Sequence, residues 1–460
     1  MSRELDTSNW NEVYLGDIVE ITHGWAFKSK FFSEDLSGKP IIVNIGNFQY
    51  TGGFRFESTT IKEYRDAYPE EYDLSPGDIL LVMTCQTPGG EILGIPARIP
   101  DDGRTYLHNQ RLGKVVIKDE SVVDRDFIYW LFLWSELNQE LCSTATGTKI
   151  LHTAPTRIEA FQFRLPPIEE QRAIASILGA LDDKIELNRR TNATLESLAR
   201  AIFKSWFVDF DPVKINAGQM PASSAISTAH DLNVLDLFPA TFQDSELGPI
   251  PEGWSVERFA DHISVTRGLS YKGVGLADAG VPMHNLNSIY EGGGYKHKGI
   301  KYYTGEYRDR HVVVPGDLIA TNTEQGFEHR LLGCAALVPK RYGETGIYSH
   351  HIYRVRMEDE TALSPHYMLQ LINSSRWHSW IAGFSNGTTI NMLPTDALEM
   401  PLLVVPPAGL VQHFTQLAST IADEIEDSIL EGESLAVTRD ALLPRLLSGE
   451  LPVDALLTEK

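Results

Sequence analysis

The chain has 460 residues, 42% of them hydrophobic and 10% aromatic, with a mean hydropathy of -0.17, which describes a folded protein of several domains and excludes a disordered one. Its net charge of -22 excludes a uniformly basic nucleic-acid binder, but the acid is uneven: residues 10–165 hold 15 Lys+Arg against 22 Asp+Glu, 254–405 hold 14 against 15, and 406–460 hold 3 against 10. The absence of an 18-residue apolar run or a leader-like start predicts a cytoplasmic protein without a membrane span, and three cysteines without C-x-x-C spacing (Cys85, Cys142, Cys334) speak against disulfides or zinc.

Along the chain the same landmarks occur twice. "NWNEVYLGDIVEITHGWAFKSK" and "GWSVERFADHISVTRGLSYKG" align Trp10 with Trp254 and Gly24 with Gly268, at a shift of 244. The loop after each glycine carries Lys28 and Lys30, or Tyr271 and Lys272. Next, "LSPGDILLVMT" and "VVPGDLIATNT" align Pro76-Gly77-Asp78 with Pro315-Gly316-Asp317 at a shift of 239. After these predicted strands, "MTCQT" offers Thr84, Gln86 and Thr87, and "TNTEQ" offers Thr321, Thr323 and Gln325. "RLGKVVIK" and "HHIYRVRM" read as further strands, and a helix is predicted behind each, at "DFIYWLFLWSELNQELC" and "SPHYMLQLINSSRWHSWI". Then "GTKILH" and "GTTINM" align Gly147-Thr148 with Gly387-Thr388 at a shift of 240, each followed by a candidate contact residue, Lys149 or Thr389.

Each copy closes on a Pro-Pro pair and a long amphipathic segment, "LPPIEEQRAIASILGALDDKI" and "VPPAGLVQHFTQLASTIADEI". Proline lacks the amide donor and biases its predecessor out of the helical region, so it stops one element and starts the next. In the first segment Ile174, Leu178, Leu181, Ile185, Asn188, Asn192 and Leu195 follow a 4-3 spacing, the seam of a coiled coil. Phe414, Ile421, Ile425 and Leu435 carry the rhythm in the second, with Ser428 and Gly432 expected opposite Asn188 and Asn192, leaving space for their amides.

The predicted fold is α+β: two mixed α/β domains joined by two long antiparallel coiled-coil helices in a pseudo-twofold internal repeat. The boundaries fall at 1–165 for the first domain, 166–210 for the first helix, 211–250 for a Pro/Ser/Ala/Gly-rich linker, 251–405 for the second domain and 406–460 for the second helix. Antiparallel packing would place the domains at opposite ends of a helix of roughly 50 Å, at about 1.5 Å per residue. Such a device reads two sites at once, about 15 base pairs apart at most on B-DNA. Because the copies differ in sequence, the half-sites should differ too.

The chain resembles the specificity (S) subunits of type I restriction-modification enzymes over nearly its whole length. "PPIEEQRAIASIL", "LARAIFKSWFVDFDPV", "LFPATFQDSELGPIPEGW" and "RDALLPRLLSGEL" look like that family's framework segments. The second helix departs from the pattern at "GLVQHF", where the family often has a Glu-Gln pair. The resemblance implies two target-recognition domains reading an asymmetric, split double-stranded DNA site. It also implies helices that bind two methyltransferase (M) subunits, with two restriction (R) subunits where these join. S-adenosylmethionine, ATP and Mg2+ would sit on those partners, with no cofactor bound by this chain directly.

No catalytic constellation is visible in the sequence: there is no Asn/Asp-Pro-Pro-aromatic element and no phosphate-binding loop. His350-His351 is expected in a strand with its two rings on opposite faces, which makes a poor metal site. For DNA, "YKHKGIKYY" interleaves Lys296, Lys298 and Lys301 with tyrosines, as a ribbon offering cations to phosphates would, although a solvated hairpin fits equally. Gln86 and Gln325 are suited to an adenine edge in the major groove, and each of the polar loop residues fits a turn-capping role as well. The competing function is an acidic protein-interaction scaffold, or a DNA mimic, without sequence-specific DNA binding.

Overall fold

Strands of two to six residues bury little alone, and in the computed structural model they collect into two compact units, residues 1–187 with 431–460 and residues 188–430. The structure describes residues 9–55, 60–87, 89–147, 149–221, 232–325, 330–384 and 390–457. In the first unit a four-stranded sheet runs in the order Val19–His23, Leu112–Ile117, Ile79–Val82, Pro96–Arg98. A five-stranded sheet runs Phe32–Ser33, Glu63–Tyr64, Ile41–Ile42, Tyr106–Leu107, Asp73–Leu74. The second unit has the same two orders: Ile263–Arg267, Ile352–Met357, Leu318–Thr321, Ala335–Leu337, and Leu276–Ala277, Lys301–Tyr303, Val281–His284, Gly346–Tyr348, Val312–Val313.

The central strands explain why "DILLV" and "DLIAT" do not alternate. Ile79 and Leu81 pack with Phe127 and Trp130 of the helical layer, while Leu80 and Val82 pack with Val43 and Tyr106, so both faces of the strand are buried. Leu318 and Ala320 face one core of the second unit, and Ile319 faces another. The Pro-Gly-Asp landmarks are turns entering these strands. Gly77 and Gly316 have φ of 82° and 86°, and the carboxylates of Asp78 and Asp317 accept the Ser75 and Val314 amides at 2.9 and 3.0 Å.

The Pro-Pro pairs link a strand to a helix with nothing between. Gln162–Leu165 pairs with Asn11–Tyr14 and Leu402–Val405 with Ser255–Arg258; the helices Ile168–Phe207 and Ala408–Leu447 begin just after each pair. They are docked differently. Gln171 is fully buried: its side-chain amide donates to Pro166 O (2.8 Å) and Val122 O (3.0 Å), and its carbonyl accepts from Asp124 N (2.9 Å). Trp10 donates its indole N–H to Glu170 at 2.9 Å. At the matching places the second helix has Leu410 and Val411, buried and apolar, and the Trp254 indole nitrogen is buried without a partner among the described residues.

Ile174, Leu178, Asn188, Phe414 and Ile421 are buried, and Leu181, Ile185, Asn192, Leu195, Ile425 and Leu435 are half-buried. Within the first unit Asp182 meets Arg439 and Lys184 meets Glu431 (3.2 Å); within the second, Asn188 donates to Ser428 O at 3.3 Å. Numbers on one helix fall as those on the other rise, so Asn192 faces the turn before Ser428. A Cβ on Gly432 would meet open space, so the glycine makes no room for an amide. Arg439 takes a seam position with a side chain only 12% exposed, held by Asp182 and Asp440.

The segment read as a linker contributes to a core. Val213, Val234, Phe238 and Ile250 are buried with Trp206 and Trp254; residues 222–231 are outside the described set. Its Pro and Gly mark turns between short elements, and its apolar residues pack. Among the described residues no helix is long and apolar enough to cross a membrane.

Candidate nucleic-acid interface

In each unit the central strand leaves its sheet after one residue, Met83 or Asn322, and continues as an arm. Thr84–Cys85 pairs with Leu151–His152, and Thr323–Gln325 pairs with Ile390–Met392, the strands that follow the "GT" landmarks. The arm thus brings the "CQT" and "GTK" stretches together although 60 residues separate them in sequence. Exposed Gln86, Thr87 and exposed Lys149 flank its end in the first unit, with the Thr87 hydroxyl donating to Glu91. In the second unit the side chain of Gln325 and all of Thr389 lie outside the described residues.

Three of the threonines expected at DNA point inward. Thr84 is buried with its hydroxyl 3.1 Å from His152 Nδ1. Thr321 is buried and donates to Leu331 O. Thr323 is buried and donates to Asn322 Oδ1 at 2.7 Å, which leaves its hydroxyl to accept from His351 Nδ1 at 3.3 Å. Alternation along a short strand turns half of its side chains to the interior, and these hydroxyls hold the arm instead of offering contacts.

The glycine loops have a common cause. A Cβ on Gly24 would stand 2.3 Å from His108 O, and one on Gly268 would stand 2.3 Å from Ser349 O, so only glycine lets the loop cross there. Beyond it Lys28, Lys30 and Lys272 are exposed, while Tyr271 is half-buried with Lys301 Nζ 5.9 Å from its ring centroid. The "YKHKGIKYY" stretch is not one ribbon. A turn over Tyr290–Gly294 is closed by the Ile289–Tyr295 bridge, a 3-10 turn spans His297–Gly299, and Lys301–Tyr303 enters the five-stranded sheet. Tyr295 bonds His284 Nδ1 at 2.7 Å and Tyr303 is buried, so these tyrosines pack and do not form a stacking platform. Half-buried Lys296 lies over Tyr290 (5.7 Å) and Lys298 is exposed, next to a turn that lines a cavity of ≈ 290 Å³ with Glu196, Asp423 and Glu426.

Several residues of the site carry no sequence signal. Buried Glu324 accepts the amides of Arg330 (3.0 Å), Leu331 (3.1 Å) and Leu332 (2.8 Å), which ties that stretch to the second arm. Buried Asn322 donates to His350 O at 3.1 Å. His350 and His351 lie in a turn ahead of the strand Ile352–Met357, not within it, so their rings are not on opposite faces: the centroids are 3.8 Å apart. Burial holds the His351 imidazole below its ordinary range, reinforced by His350, Arg267 and Lys301. Under the sheets, burial pushes His108 and His284 down to about 4.

Residues 7–197 match the family described as type I restriction modification DNA specificity domain. The chain is 24% identical to the HindI specificity subunit of Haemophilus influenzae over 96% of its own length and all of that protein. It is 23% identical to the MjaIX specificity subunit of Methanocaldococcus jannaschii, covering 76% of this chain and 73% of the relative. The crystal structure of the type I restriction-modification S subunit from M. genitalium superposes with a TM-score of 0.57 at 14% identity, covering 97% and 98% of the two chains, a likeness of fold.

Proposed function

Because the chain belongs to the family of type I restriction-modification specificity subunits, noncatalytic parts that give such systems their DNA sequence specificity, we propose that it reads one asymmetric, bipartite DNA site. The observation carrying this reading is that two units share both strand orders and the arm, yet present different side chains around it. Each unit takes one half-site. The long helices act as an antiparallel coiled-coil strut that sets the gap between half-sites and holds two methyltransferase subunits, with restriction subunits joining these. The domains are those of the sequence reading, 1–165 and 251–405, each followed by its helix. Exposed Lys28, Lys30, Gln86, Lys149 and Lys272 support DNA contact near the arms and glycine loops.

The test is co-expression with the methyltransferase subunit and mapping of N6-methyladenine across the host genome. The expected result is a split motif with an unread gap, one half of which changes when residues 254–405 are exchanged for those of another family member. A stable complex that methylates no motif and retains no DNA would favour the acidic scaffold instead.

A further inference from the structure

We infer that Arg267, Lys301, His350 and His351 form one face that binds the phosphodiester backbone beside the second arm, with uptake of protons. The inference rests on the DNA-reading function proposed above and names the groups that grip the second half-site.

The four groups come from three elements that Gly268 brings together. Arg267 ends the strand Ile263–Arg267, and the close crossing at Gly268 fixes that strand end against the turn of Ser349–His351. Arg267 Nε donates to His350 O at 3.1 Å, and its exposed terminal amino groups are in no ion pair among the described residues. Tyr271 links the rest: its ring centroid is 6.3 Å from that of His350 and 5.9 Å from Lys301 Nζ. His351 reaches the arm itself through Thr323.

The charges facing His351 are His350, Arg267 and Lys301, all of one sign. Glu324 is turned to the amides of 330–332, and Asp396 and Glu399, which act on Tyr353 together with Arg267, form no ion pair with it. His350 Nδ1 is buried and has no hydrogen-bond partner among the described residues. In a chain of net charge -22, a cluster of cations without a carboxylate partner is a site for an external anion. Two cations, Arg267 and Lys301, with two imidazoles beside them that can take protons when an anion approaches, exceed one small anion and suit the repeating charge of a nucleic-acid strand. Two imidazoles in contact repel when both are charged, and a phosphate beside them offsets that repulsion, so binding draws protons from solution.

At the matching positions the first unit has His23, Lys62, Gln110 and Arg111. Lys62 is 3.7 Å from Glu34, and Gln110 takes no charge. His23 is the one imidazole at these positions in the first unit, so the pair of imidazoles in contact, and the proton uptake that depends on it, belongs to the second unit.

The experiment measures affinity of the complex with its methyltransferase partner for duplex DNA bearing its motif, over a salt series at pH 6 and pH 8. R267Q with K301Q is expected to lower the slope of log K against log salt by about 2, since each lost phosphate contact removes roughly 0.9. Arg267→Lys, which keeps the charge, should retain the slope and controls for folding. H350Q with H351Q is expected to remove the strengthening between pH 8 and pH 6. Unchanged slope and unchanged pH response in these variants, with the motif still bound, would overturn the inference and leave the DNA-reading function standing. Failure of the unsubstituted complex to retain DNA would remove that function and this inference together.

Discussion

Where the first unit carries Gln110 and Arg111, the second carries His350 and His351, and the turn that holds them is built alike in both. Trp25 bridges Asn109 as Leu269 bridges Ser349, and each is preceded by a glycine in contact with a carbonyl across the turn. A strand order and its crossing points constrain few side chains, so the two units are free to diverge at the positions around the arm. Cation number and ion pairing then differ between the two units while the backbone that positions them does not.

The equivalence of the scaffolds is tested most severely at the glycines. Gly24→Ala and Gly268→Ala should each destabilise their own unit by about 3 kcal/mol, because the added methyl meets backbone carbonyls that cannot rotate away. Hydrogen exchange followed on peptides from each unit should show the loss confined to the substituted one. A silent substitution at either glycine would mean the crossing is not rigid there.

Acid should also act on both units. The folded imidazoles of His108 and His284 titrate at about 4, against about 6.5 in an unfolded chain. As pH falls through that window the unfolded chain takes up a proton first, so stability is complete above 6.5, is lost between 6.5 and 4, and levels off below. The loss is on the order of 3 kcal/mol per histidine at most. Thermal unfolding across this range should show His284→Asn flattening the pH slope of the second unit while His108 keeps that of the first.

The sequence makes some of this visible and hides the rest for physical reasons. Repeated Trp, Gly, Pro-Gly-Asp and Pro-Pro landmarks are visible because each answers a backbone demand that few residues meet, as the positive φ of Gly77 and Gly316 does. The 4-3 seam is visible because helical burial is periodic. Which hydroxyl of an arm faces inward is hidden: Thr84, Thr321 and Thr323 depend on where the strand leaves its sheet, and that is a tertiary event. The cation cluster is hidden for the same reason, since Arg267, Lys301 and His350 meet only across the Gly268 crossing. The place of Gln171 is hidden too, since Pro166 O, Val122 O and Asp124 N surround its amide only once the helix has docked.

That internal glutamine separates the two helix starts. Gln171→Val should cost about 2 kcal/mol, because it strands Pro166 O, Val122 O and Asp124 N where the second unit has buried, apolar Val411. Val411→Gln should cost a similar amount in the second unit by burying an amide with no partners prepared for it. Thermal denaturation of the two variants, each compared with the parent chain, measures both. If Gln171→Val were neutral, the polar and apolar dockings would be interchangeable.

The smallest effect divides two residues of one seam. Asn188 is buried and donates to Ser428 O, whereas the next seam asparagine, Asn192, has a buried Oδ1 without a partner among the described residues. A satisfied buried amide offsets part of its desolvation and selects one pairing; an unsatisfied one does not. Asn192→Leu should therefore raise stability by about 1 kcal/mol, and Asn188→Leu by less, since the second change also leaves Ser428 O without its donor. Denaturant titration resolves the order of the two. The functional consequence runs the other way: Asn188→Leu loosens the register between the helices, and through it the fixed gap the methylated motif should show, so methylation should spread to sites with altered gap length in that variant and not in Asn192→Leu.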